Sequence, residues 1–154
     1  MPYPRSQVLC VDDDADACEM LTLLMRAYGI DATCVTSAAE AWRAINKQTF
    51  DLYVIDGWLP NLDGFEFCRQ IRATDTETPI LFYSGAAYEA DREKGMAAGA
   101  NAYIAKPDVE GLITSISSLI VKANARDATA RETMPKRKSR GLVSSSTLLR
   151  REFV

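Results

Sequence analysis

Histidine is absent from this sequence, which removes histidine general-base catalysis, imidazole metal ligation and any phosphohistidine of the chain's own. No apolar run approaches the ~20 residues of a membrane-spanning helix, so no membrane role is expected. The opening residues, MPYPRSQVLC, lack the long apolar segment of a secretory signal. Cysteine is sparse, and Cys10, Cys18, Cys34 and Cys68 form no C-x-x-C pair. Each falls in an apolar periodic segment. They are expected to be small buried hydrophobes in a reducing cytoplasm, in preference to a disulfide or a metal site.

What is present suits one ordinary domain with some chain left over, at 154 residues and 47% apolar content. The net charge of −3 hides a division. Residues 1–122 carry 10 Lys/Arg against 18 Asp/Glu, whereas residues 123–154 carry 8 against 3. An acidic folded body (1–122) with a basic extension (123–154) is the expected organisation.

Along the body, short strand-like runs occur at Gln7–Val11, Ala32–Val35, Leu52–Ile55, Ile80–Tyr83 and Ala102–Ala105. Helical spacing fills the intervals. The first helix carries Cys18, Leu21, Leu24 and Met25 and stops at Gly29; the second starts at Ser37, a plausible N-cap. Others follow Asp63-Gly64, cover Glu89–Ala97, and begin near Asp108. Strands alternating with helices predict an α/β fold, a doubly wound five-stranded parallel sheet with five helices. Continuous apolar strands such as LYVI and ILFY agree, since both faces must then be covered. In such sheets ligands bind beyond the carboxyl ends of the strands. The residues there are Asp12-Asp13, Asp56, Ser84 and Lys106-Pro107, with nothing comparable after the second strand.

The stretch VDDDAD first suggests calcium, because Asp12, Asp14 and Asp16 occupy positions one, three and five of an EF-hand loop. That loop also wants glycine at its sixth position and glutamate at its twelfth. Here those residues are Ala17 and Leu23, so the calcium reading fails. Asp14 and Asp16 are instead expected to begin the first helix, where the macrodipole favours acids. Asp63 reads as a turn acid before Gly64.

The acidic pair Asp12-Asp13, the context YVIDGWLPNLDG, the hydroxyl in LFYSG and the segment AYIAKP occur in order, each after an apolar strand. Over roughly residues 5–122 the sequence resembles the receiver domain of two-component response regulators. The resemblance implies a flavodoxin-like sheet in the order 2-1-3-4-5. It implies that Asp56 accepts a phosphoryl group from a histidine kinase or histidine phosphotransfer protein. Asp12, Asp13, Asp56 and the backbone carbonyl of Trp58 would hold one Mg²⁺. Ser84 and Lys106 would contact the phosphoryl group, and Pro107 would follow a cis peptide. Tyr103 matches the family's switch aromatic. The face of the fourth helix, fifth strand and fifth helix would read out the state, to a downstream protein target or in a homodimer.

Two residues depart from the family's habit. Trp58 is bulky beside the acceptor and is expected to shield an acyl phosphate from water. Gly85 stands where alanine is common; it permits closer approach of a partner and frees the backbone. Residues 123–154 resemble no known output domain. Ala123–Met134 suits a continued helix, and Lys136–Arg140 with the apolar end through Phe153 reads as a flexible basic extension, with a docking peptide as the sharper alternative. DNA binding is not expected, because short basic runs are common. A stand-alone cytoplasmic regulator, not an enzyme beyond its own phosphorylation and dephosphorylation, is the resulting expectation.

Two rivals remain at this point. A haloacid-dehalogenase-type phosphatase also uses a D-x-D aspartate, and Asp12-Asp13-Asp14 superficially supplies it. Yet a small residue follows where that family has threonine or valine, and Asp56 and Lys106 would lose their roles. A receiver-like interaction module that switches without phosphate is the other.

Overall fold

The computed structural model describes residues 5–86 and 88–133. Five strands, β1 (Gln7–Val11), β2 (Asp31–Val35), β3 (Leu52–Ile55), β4 (Ile80–Ser84) and β5 (Ala102–Ala105), alternate with five helices. These are α1 (Ala15–Ala27), α2 (Ala38–Lys47), α3 (Gly64–Arg72), α4 (Glu89–Ala98) and α5 (Val109–Thr133). Every pairing is parallel and the order is β2-β1-β3-β4-β5, the doubly wound flavodoxin-like arrangement.

Alternation along the strands divides the core into two layers. Leu9, Val11, Tyr53, Ile55, Ile80 and Phe82 pack on one face with Phe67, Cys68 and Ile71 of α3, Ala41 of α2 and Ala98 of α4. Val8, Cys10, Leu52, Val54, Leu81 and Tyr83 pack on the other with Leu21 and Met25 of α1 and Leu112, Ile113 and Ile116 of α5. Burying a large aliphatic or aromatic side chain contributes about 2 kcal/mol relative to leaving it exposed. These two layers therefore hold the sheet, which leaves its carboxyl end free to carry polar groups.

The helix starts fix the loops at that end. Asp14 caps α1, its side chain accepting from the amides of Asp16 (2.9 Å) and Ala17 (3.4 Å). Ser37 caps α2 through Glu40 N–H, and Asp63 caps α3 through Glu66 N–H at 2.6 Å. Gly29 leaves α1 with φ of +76°, a conformation that glycine adopts without steric cost. At Gly64 a Cβ would lie 2.9 Å from the Gly57 Cα and collide with the carbonyl oxygen of Asp56, so only glycine lets α3 start this close to β3.

The cysteine expectation needs correction. Cys10 and Cys68 are indeed buried free thiols, but Cys18 of α1 and Cys34 of β2 form a disulfide, with Cα atoms 5.3 Å apart. Packing α1 across the β2 edge brings together two residues that the sequence separates by 16 positions.

The chain divides into two units, Met1–Asn124 and Ala125–Val154. The first carries the whole sheet; of the second, residues 125–133 are the last described turns of α5. The basic run Lys136–Arg140 and the closing segment through Phe153 lie outside the described residues.

Candidate functional site

Strand ends deliver the polar residues. Asp12 and Asp13 follow β1, Asp56 follows β3, Ser84 ends β4 and Lys106 follows β5. Asp12 and Asp56 are buried (2% and 8% exposed), whereas Asp13 is open to solvent. One oxygen from each of the three carboxylates lies within 4.8 Å of the others. Lys106 Nζ donates to Asp12 Oδ2 at 2.6 Å and to Asp56 Oδ2 at 3.2 Å. The Trp58 amide donates to the other Asp56 oxygen, Oδ1, at 3.1 Å. Both oxygens of Asp56 are thereby held.

The charges do not balance: three carboxylates face one ammonium. Like charges ~4 Å apart repel by roughly 4 kcal/mol at an effective dielectric of 20. Burial raises the pKa of Asp56; the Trp58 amide and Lys106 oppose the rise, and the Asp12 charge adds to it. Burial works to lower the Lys106 pKa, but its hydrogen bond to Asp12 and the charge of Asp56 outweigh burial and hold it above the ordinary lysine value. A cluster of hard oxygen donors with surplus negative charge and one exposed member fits a small divalent cation such as Mg²⁺, which keeps several waters.

Beside this cluster, Ser84 is fully buried and its Oγ accepts from the Ala86 amide at 3.3 Å. The carbonyl of the same Ala86 accepts from the Tyr103 hydroxyl at 2.6 Å. Tyr103 is buried, and its ring stacks on Phe82 with centroids 5.7 Å apart. Arg92 of α4 donates to the Tyr103 carbonyl at 3.1 Å and lies 5.8 Å from the ring centroid, within cation–π range. A Cβ on Gly95 would stand 2.9 Å from Tyr103 Cδ2. The Lys106–Pro107 peptide is cis. Trp58 projects outward, 70% exposed, and it is its amide that meets Asp56. At Gly85 a Cβ would meet nothing within 4 Å.

Asp12, Asp13, Asp56 and Lys106 thus converge, with Ser84 and Tyr103 linked to each other through Ala86. Asp14 stands apart, committed to its helix, which leaves the D-x-D phosphatase pattern without its second acid. Arg92 and Gly95 were not singled out from the sequence. Glycine inside a helical run costs about 1 kcal/mol against alanine. That cost at Gly95 was the one available signal of a close neighbour.

The protein-family model for the response regulator receiver domain matches residues 8–117. The chain belongs to the response regulator receiver family. It is 36% identical over 107 residues to the DNA-binding response regulator MtrA of Mycobacterium bovis, covering 70% of this chain and 46% of that one. The response regulator MprA of Mycobacterium leprae is 32% identical over 123 residues, covering 79% and 54%. The receiver therefore spans about half the length of the curated relatives it matches. Among solved structures, the receiver domain of Francisella response regulator 1452 superposes with a TM-score of 0.72 at 28% identity, covering 77% of this chain and 98% of that one. The DNA-binding name of the mycobacterial relative sits uneasily with the sequence-based expectation against DNA contact. Among the described residues no helix is long and apolar enough to cross a membrane.

Proposed function

We propose that this receiver takes a phosphoryl group onto Asp56 from a phosphohistidine of a histidine kinase or histidine phosphotransfer protein. The observation that carries the reading is the shared grip of Lys106 on Asp12 and Asp56 beside an exposed third carboxylate, Asp13. These 154 residues contain no histidine, so the donor imidazole would come from outside them. A carboxylate oxygen of Asp56 attacks phosphorus, the P–N bond to the donor breaks, and its electron pair returns to the imidazole nitrogen. Asp12, Asp13 and Asp56, with the carbonyl of Trp58, would hold Mg²⁺, and the ion would supply positive charge to offset that of the transferring group. The Lys106 ammonium lies within reach of the same oxygens and offers further N–H donors to a phosphoryl group.

A group carrying about −2 charge at Asp56 favours a donor from the Ser84 hydroxyl. Ser84 now accepts from Ala86, and Ala86 accepts from Tyr103, so a shift of Ser84 disturbs the partner of the tyrosine hydroxyl. The surface of α4, β5 and α5 would change with it and bind a downstream protein or a second copy of the chain. The receiver is a signalling protein and not a classical enzyme. Residues 1–122 would form the working unit, residues 123–154 its basic extension, and the cytoplasm its compartment.

Replacing Asp56 by Asn tests the reading. Phosphoryl uptake from a kinase or a small phosphodonor should disappear; uptake that survives would move the acceptor elsewhere. A pull-down with phosphorylated and unphosphorylated protein, beside a gel-shift with duplex DNA, would distinguish a protein target from a DNA one.

A further inference from the structure

The disulfide lies against the acidic loop. Cys18 Sγ is 3.4 Å from the carbonyl oxygen of Asp12 and 3.6 Å from that of Val35. The Asp12 amide itself donates to the Val35 carbonyl at 3.0 Å, and Val35 directly follows Cys34. Cys18 also lies in the first turn of α1, its amide bonded to the Asp14 carbonyl at 3.0 Å. The bridge therefore joins the two segments that bracket Asp12: the start of α1 after it, and the end of β2 beside it.

Cys34 gives access to this pair, since Cys18 is itself buried at 8% exposure. Cys34 lies on β2, an edge strand of the sheet, and is only half-buried. Cys10 pairs in register with Cys34 across β1 and β2, yet it is fully buried with its sulfur 3.9 Å from Met25 Sδ. Burial, with the Asp12 charge, pushes the Cys10 thiol up to about 12, and burial pushes Cys68 up to about 11. Both are inert by the usual criterion, since the thiolate is the reactive form. A disulfide in a reducing compartment is typically transient and regulatory.

We propose that Cys18 and Cys34 form a reversible thiol–disulfide site whose closure stiffens the loop of Asp12 and Asp13 and tightens its hold on a divalent cation. The proposal rests on the reading of that loop as cation-binding. A hydroperoxide supplies the oxidation: two thiols and ROOH give the disulfide, ROH and water. Attack by a dithiol reductant returns both sulfurs to thiols as the reductant becomes its own disulfide. In the reduced form the Cys18 S–H has a proton to share with the Asp12 or Val35 carbonyl, a weak bond that holds the loop loosely. In the oxidised form a covalent link replaces it. Fixing a ligand set in its bound arrangement removes part of the ordering cost of binding.

The test uses the full chain in peroxide-treated and dithiothreitol-treated forms. Alkylation followed by peptide mapping should find Cys18 and Cys34 linked in the first form and both alkylated in the second. Titration with Mg²⁺, followed by tryptophan fluorescence or calorimetry, should give roughly threefold tighter binding in the oxidised protein. Cys34→Ser should bind as the reduced wild type does and ignore peroxide; Cys18→Ser serves if that variant folds poorly. Failure of the pair to form in folded protein, or affinities equal in both forms, overturns the proposal. Labelling of Asp56 in the reduced protein by a small phosphodonor is scored separately. Its absence would overturn the receiver chemistry whatever the cross-link does.

Discussion

The two flanks of the acidic site are built from different materials. On the α1–β2 side, Asp12 sits between a capped helix start and a strand end that a disulfide joins. On the β4–α4–β5 side, the contacts are an aromatic stack, single hydrogen bonds through Ala86, and a glycine that makes room for a ring. The first flank is tied by a covalent link as well as by hydrogen bonds. The second can rearrange, because each of its contacts is worth only about 1 kcal/mol. The difference suits a switch: ligands must be held at one edge, while the response needs motion at the other.

Removing the group common to both flanks should have the largest effect. Lys106→Met leaves buried Asp12 and Asp56 without their ammonium and should cost about 3 kcal/mol in metal-free buffer near neutral pH, read by urea denaturation. The lysine's folded pKa is raised, so its contribution is fully present below the ordinary value of 10.5 and is lost only as pH rises through the raised one. A loss below 1 kcal/mol would show that the cluster does not depend on it.

Gly95→Ala probes the yielding flank. Alanine is the better helix former by about 1 kcal/mol, but its Cβ would press on Tyr103 and Phe82. Overpacking of about 1–3 kcal/mol should win, leaving the variant less stable by roughly 1 kcal/mol and moving the Tyr103 ring resonances. Unchanged tyrosine signals would mean that the ring has more room than the contacts suggest.

Asp56→Asn in metal-free buffer should raise stability modestly near neutral pH, because a buried like charge is removed. The folded pKa of Asp56 is raised, so the folded protein holds the proton more strongly than the unfolded chain. Stability from this group therefore falls as pH rises through the raised value, and the gap to the Asn variant should close on acidification. A gap that widens in acid would reverse the assignment.

The smallest structural effect belongs to Trp58→Ala. The side chain is largely exposed, so stability should move by less than about 0.5 kcal/mol. Dephosphorylation of the labelled protein should nevertheless quicken. Equal rates would dispose of the shielding role.

Sequence alone reached the fold and the charged centre for a physical reason. LYVI and ILFY read as two-sided strands, and in a doubly wound sheet the residues after such strands meet at one edge. Asp12, Asp56 and Lys106 were thus visible without coordinates. The Cys18–Cys34 pair was not, because helix-to-edge-strand packing has no signature at a spacing of 16 residues. Nor was the cluster of Arg92, Gly95 and Tyr103, which depends on the height at which α4 crosses β5. Contacts within an element or along a sheet edge follow from periodicity; contacts between layers follow from packing.

Direct chemical trapping tests the proposal that Asp56 carries the phosphoryl group. After incubation with a small phosphodonor and Mg²⁺, borohydride would reduce an acyl phosphate to homoserine at the labelled aspartate, and peptide mapping would locate it. Homoserine is expected at position 56 alone. Homoserine at position 12 or 13, or none in folded protein that binds Mg²⁺, would contradict it.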